Sequence, residues 1–224
     1  AVYLPPGYDA DPSRRFPLFV DLVGFTGSGL AHLNWRAFGE SVPQRLDRLV
    51  AEGRMGPVVA AFPDCFTSLG GNQYIDSAAL GRWEGFLIDE MLPRLDADFR
   101  LLPGREHRAL FGKSSGGHGA IAHGLLRADA WGAVACHSGD MAFDLCYRSH
   151  LPVTARFLVA HGGVAGFLAA FAAAPKTTDD WMSHMEMVAM AASYDPDPQA
   201  PKGIRLPVDL STSEMYDNRC AAWR

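Results

Sequence analysis

The chain has 224 residues, 48% hydrophobic and 20% charged, with a formal net charge of −5 at neutral pH. That length supports one sizeable core and is short for two. The mildly acidic balance excludes the basic footprint of a nucleic-acid-binding domain. The longest nearly apolar stretch, 162–175, falls short of the roughly 20 residues that a membrane-spanning helix needs.

"AVYL" at the start reads as a short strand ended by the turn "PPGYD". No basic segment of a signal peptide precedes it, and the chain opens without Met inside that strand, so further residues are expected upstream. "FPLFVDLVG" (16–24) is almost continuously apolar, as a strand buried on both faces should be. After the loop "GFTGSG", residues Ser41 to Glu52 place Val42, Leu46, Leu49 and Val50 at helical spacing, and Gly53 stops the helix. "PVVAAFPD" (57–64) is the next buried strand. Leu80, Trp83, Leu87 and Met91 then mark an amphipathic helix. "HRALFG" (107–112) reads as a strand, "GGHGAIAHGLLRA" as a helix and "WGAVACHSG" (131–139) as one more strand. Strands alternating with helices predict an α/β fold, a mostly parallel sheet with helices on both faces.

Beyond Asp140 this rhythm breaks. Residues 141–224 are rich in Ala, Met, Pro and Asp, and "GFLAAFAAA" reads as an alanine-rich buried helix or lid. "GIRLPVDL" is the best remaining strand candidate, and Pro207 counts against it. The expectation is a single α/β domain, incomplete at both ends, in which 141–200 forms a helical insertion or lid. The four cysteines, Cys65, Cys136, Cys146 and Cys220, make no C-x-x-C pair and no zinc spacing with histidine. They are expected as free thiols, which points to a cytoplasmic location, and nothing calls for a metal or cofactor.

Chemistry concentrates in "ALFGKSSGGHGAI" (109–121). "GKSS" resembles the end of a phosphate-binding P-loop, but that motif needs glycine five residues before Gly112, and His107 stands there. The alternative is G-x-S-x-G, with Gly112, Ser114 and Gly116 in the fixed places. This nucleophile elbow joins a strand to a helix by so sharp a turn that the flanking positions must be glycine. Choosing Ser115 instead would require glycine at 113, and Lys113 is there. Ser114 is therefore the expected nucleophile, and Ser115 contributes its backbone N–H. A loop leaving a neighbouring strand should bring the second oxyanion donor. In "DLVGFTGSG" that donor is the N–H of Phe25, just after Gly24.

The segments "VYLPPGY", "FPLFVDLVGFTGSG", "PVVAAFPDCFTSLGGNQY", "EHRALFGKSSGGHGA" and "GAVACHSGD" resemble the putative-esterase family of α/β-hydrolases. Esterase D-like enzymes, feruloyl esterases and mycolyltransferases belong to it. The resemblance runs in order over about residues 1–145 and implies carboxylic-ester chemistry on a small-molecule substrate. It assigns Ser114 as nucleophile and the N–H groups of Ser115 and Phe25 as oxyanion hole. Val23 departs from the pattern, since many members carry His before the glycine.

A serine hydroxyl needs a positioned base. His118 and His123 lie on the helix leaving the elbow, where structural roles are expected. His137 ends the following strand and reads as a pocket wall. His150, His161 and His184 remain, with Asp140, Asp144, Asp179, Asp180, Asp195 and Asp209 as possible partners, and none ends a clear buried strand. Asp209 comes nearest, yet no histidine follows it. By the resemblance, "LPVDLSTSEMYDNRCAAW" precedes the acid-bearing strand, so acid and histidine are expected beyond Arg224. An in-chain histidine, His137 or His184, is the rival. Asp64, Gln73, Tyr74 and Asp140 are further candidates for the pocket lining. Transfer to an alcohol acceptor and a non-catalytic binding remnant stay open beside hydrolysis.

Overall fold

The computed structural model describes residues 1–174, 180–212, 214–216, 219–220 and 223, without the side chain of residue 180. Pro175, Asp179 and Arg224, named above, lie outside the described residues. In chain order the elements begin with β1 (Val2–Tyr3), β2 (Leu18–Leu22), α1 (Val42–Ala51) and β3 (Val59–Ala61). A small ribbon follows, β4 (Asp76–Ser77) with β5 (Gly81–Arg82), and then α2 (Trp83–Gly85) and α3 (Leu92–Asp98). Next come β6 (Arg108–Lys113), α4 (Ser115–Leu126) and β7 (Ala133–His137). The helices α5 (Phe143–Cys146), α6 (Leu151–Ala160), α7 (Gly163–Ala173) and α8 (Asp180–Tyr194) complete the set.

Two compact units emerge. One comprises Ala1–Phe66 with Glu84–Gly139, the other Thr67–Trp83 with Asp140–Arg224. The first unit holds a five-stranded sheet in the order β1-β3-β2-β6-β7, parallel except for β1. Its central strand β2 buries Leu18, Val20 and Leu22 almost completely, at about 1.5–3 kcal/mol for each such side chain. Strand alternation sorts the two faces. On one face Leu46 of α1 packs with Val58, Ala60 and Phe62. On the other, Gly112 and Leu22 meet the first turn of α4.

Local chemistry explains the element ends. Ser41 caps α1 in a capping box with Gln44, Pro43 fills its first turn, and Gly53 takes φ 67° just past its end. The helix expected from Leu80 begins instead at Trp83, because residues 76–82 form the β4–β5 ribbon. Between α2 and α3 the chain runs through a π-helical stretch, Phe86–Met91. Pro93 lacks an N–H to continue the regular ladder there. β7 lies at the sheet edge with its residues exposed. An apolar groove of about 420 Å³ runs beside α1, lined by Phe19, Leu46, Leu49, Phe111 and Val134 among others.

The second unit is helical. Phe157 is stacked between the rings of His161 and His184, with centroids 4.1 and 3.9 Å away. α7 matches the alanine-rich helix read from the sequence. "GIRLPVDL" forms no strand among the described residues, only a single bridge from Val208 to Met215. No described helix is alone long and apolar enough to cross a membrane, although the bent pair α6–α7 is so in combined length.

All four cysteines are free thiols, Cys65 buried and Cys136 exposed. Burial, and secondarily the charge of Asp64, pushes the Cys65 thiol up to about 12. Alkylation needs the thiolate, so at about pH 8 iodoacetamide is expected to modify Cys136 in the native protein and spare Cys65. Peptide mapping checks this, with Cys65 becoming reactive only after denaturation.

Candidate active site

β6 ends at Lys113 and α4 begins at Ser115, which leaves Ser114 in the turn between them. Ser114 adopts φ 57°, ψ −123°, a conformation that costs a residue with a side chain about 1–3 kcal/mol. Its N–H donates to the His137 carbonyl (3.1 Å), and its carbonyl accepts from the His118 N–H (2.9 Å). The turn is thus held from β7 and from α4.

The flanking glycines follow from backbone crowding. A Cβ on Gly112 would overlap the Gly116 carbonyl, and one on Gly116 would overlap the Leu22 carbonyl of β2. Gly117 is similarly pressed on Gly139, where an added Cβ would lie 2.9 Å from Cα. Small residues let α4 descend directly onto the strand ends. Among the described residues the Ser114 hydroxyl makes no hydrogen bond.

The chain leaving β2 arrives beside this serine. A Cβ on Gly24 would sit 3.5 Å from Ser114 Cβ and 4.0 Å from its Oγ. Gly27 N–H closes a turn onto the Gly24 carbonyl at 2.9 Å, and half-buried Phe25 lies within that turn. Ser115 is the first residue of α4, so its N–H has no partner inside the helix. A helix N-terminus of this kind favours negative charge.

Residues 1–208 match the sequence profile of the family described as "Putative esterase". The chain belongs to this family. The fold of the esterase-family chain is shared with a ferulic acid esterase at 27% identity and a TM-score of 0.51, over 62% of this chain and 52% of that one. It is shared too with a fluorophosphonate-binding serine hydrolase F, FphF, of Staphylococcus aureus. There the identity is 16% and the TM-score 0.50, over 64% of this chain and 52% of that one. The fold is of the α/β-hydrolase type, and the chain spans about half the length of each of these two proteins.

The remaining expected residues of this esterase-family chain are distributed as follows. Ser115 is buried, and its hydroxyl has no partner among the described residues. Removing an unpaired buried hydroxyl costs little or stabilises. Ser115→Ala is therefore expected to leave stability at or above the parent's, which thermal melts check. His123 is fully buried and accepts from the Trp131 indole N–H at 3.3 Å, a structural role as expected. His137 touches the elbow through its backbone carbonyl, while its side chain borders the apolar groove. Asp64 accepts from the Phe66 N–H.

In the helical unit, His184 Nδ1 lies 3.0 Å from the Thr154 hydroxyl, and His161 Nδ1 lies 2.8 Å from the Phe157 carbonyl. His150 precedes α6 and is exposed. Asp144 faces Arg148 at 3.7 Å. Asp195 and Asp197 share Arg219, at 2.6 and 2.7 Å. The Asp209 carboxylate accepts from Ser211 and Tyr216, which hold it well below the usual range. The last of these carboxylates are thus committed to local turns and ion pairs.

Gln73 and Tyr74 are buried and both adopt positive φ, 60° and 61°. The Gln73 amide donates to the Tyr194 hydroxyl (2.6 Å) and the Tyr147 hydroxyl (3.2 Å). Asp140 hydrogen-bonds Tyr147, whose hydroxyl is raised far above its usual range, chiefly by burial. Burial, then the charge of Asp140, raises the Glu186 carboxyl as well.

Beyond the expected residues, the structure brings together one histidine–carboxylate pair. His32 Nδ1 lies 2.6 Å from Asp21 Oδ2, and Asp21 sits on β2 at 2% exposure. Its signal was in plain sight, since an aspartate inside the apolar run "LFVDL" demands a buried partner.

Proposed function

We propose that the protein is a serine esterase that hydrolyses a small-molecule carboxylic ester through an acyl-enzyme on Ser114. The observation that carries this reading is the strained turn at Ser114, capped by glycines on both sides and approached by the backbone at Gly24. Membership of the esterase family supports it. In this reading Ser114 Oγ attacks the ester carbonyl, and the carbonyl oxygen becomes an oxyanion held by the N–H groups of Ser115 and Phe25. Collapse expels the alcohol, which takes up the proton lost by Ser114, and water then attacks the acyl group, giving the acid and returning a proton to Ser114. Backbone donors suit that task because they are already oriented and cost no reorganisation when charge develops.

Among the described residues no histidine side chain hydrogen-bonds the Ser114 hydroxyl. A helical insertion or lid over 141–200 belongs to the same proposal, supported by the helices α5 to α8 within it. In the intact protein a fluorophosphonate probe is expected to add one phosphonyl group at Ser114, located by peptide mass spectrometry. An unlabelled Ser114 in folded, intact protein would overturn the reading. Transfer of the acyl group to an alcohol shares every step up to deacylation. Product analysis with and without a sugar alcohol separates it, because only transfer gives a new ester.

A further inference from the structure

Asp21 is an ionisable side chain in the central strand of the sheet. Val20 and Leu22 on either side of it are fully buried, and its register partner on β6 is Phe111. A buried carboxylate is tolerated when it is paired, and its one hydrogen-bond partner among the described residues is His32 Nδ1, 2.6 Å away. His32 stands eleven residues further along and is 31% exposed at its side chain. The contact therefore closes the segment that leaves β2 back onto β2 itself.

That segment contains Gly24 and Phe25. Its root lies beside Ser114, as the Gly24 geometry shows. Its middle is wedged at Gly29, where an added Cβ would overlap the Phe62 and Pro63 carbonyls. Its end is a single helical turn, with Ala31 N–H on the Ser28 carbonyl and Leu33 N–H on the Leu30 carbonyl. These two approaches are steric, and among the described residues the hydrogen bond that ties the segment back to β2 is the one between His32 and Asp21.

We propose that His32, anchored by the buried Asp21 carboxylate, is a positioning residue that fixes residues 24–28 and with them the Phe25 N–H. This inference rests on the esterase reading only for its catalytic consequence. An oxyanion donor is effective when it is held in place before the reaction, and losing one costs about 10²–10³ in kcat. Loosening the loop displaces that donor without removing it. Asparagine at 32 presents an amide N–H where the imidazole Nδ1–H stood, so it can keep the bond to Asp21.

The experiment compares intact wild type, His32→Ala and His32→Asn by backbone hydrogen exchange and by turnover of an activated acetate ester. In His32→Ala the amides of 24–28 are expected to exchange at least about tenfold faster, while those of β6 and α4 keep their wild-type rates. The same variant should lose about 10- to 100-fold in kcat with KM within twofold. His32→Asn should restore both readings to within about threefold. Unchanged exchange at 24–28 in His32→Ala overturns the proposal. So does acceleration spread evenly over β6 and α4, or an equal loss of kcat in both variants. If wild type shows no turnover and no labelling of Ser114, the esterase reading fails. The exchange comparison still decides the positioning of the loop.

Discussion

Ser114→Ala is expected to remove ester turnover and phosphonate labelling together, with kcat down by at least about 10⁴-fold. Ser114 is the residue at the junction of β6 and α4, and its hydroxyl is uncommitted among the described residues. In the proposed mechanism, deleting that oxygen removes the nucleophile and leaves both N–H groups in place, so ester binding should persist while chemistry stops. A companion variant separates chemistry from fold. Ala at φ 57° keeps the backbone strain, whereas Gly relieves it. Ser114→Gly should therefore be inactive and about 1 kcal/mol more stable than Ser114→Ala. Thermal melts of the two variants beside kinetics check this. Equal activity in Ser114→Ala and wild type would leave the elbow as no more than a tight turn.

Gly116→Ala is expected to destabilise the α/β unit by about 3 kcal/mol or more, a large part of the roughly 5–15 kcal/mol that holds a domain together. The added Cβ meets the Leu22 carbonyl, which is backbone of the central strand. No side-chain rotation can make room. Either α4 lifts from the sheet or β2 shifts against β6, and each move disturbs the elbow. Denaturant unfolding should show a lower midpoint with an unchanged slope. If the variant retains wild-type stability, α4 does not pack on β2 as described.

Both of these positions were legible beforehand, in the same motif. The elbow was readable because its determinants are local. An apolar run, two glycines four residues apart and a helix-forming segment all lie within 109–126, and the structure places β6, the turn and α4 over that same stretch. The start of α1 was readable for the same reason, since Ser41, Pro43 and Gln44 form its cap from neighbouring positions. The β4–β5 ribbon was missed, because Leu80 fitted the helical spacing of the residues after it. Nothing local showed the positive φ at Gln73 and Tyr74 either, since neither is glycine. Tertiary packing around Gln73, with its amide on two tyrosines, accompanies that backbone.

The histidines show the same division more sharply. Spacing could say that His118 and His123 share a helix with the elbow, and burial of His123 against Trp131 agrees with a structural role. Spacing could not say that His32 belongs with Asp21. That pair depends on which face of β2 is turned inward and on how the following loop folds back. The sequence by itself determined the α/β class and the G-x-S-x-G turn between β6 and α4. Each of those is a short-range constraint on backbone sterics and apolar periodicity. Only the tertiary structure decided that Gly24 lies against Ser114 and that His32 meets Asp21. β2 and β6 are neighbours in the sheet but some ninety residues apart in the chain. Which strands pair is settled by packing the whole sheet, and no local pattern carries that choice.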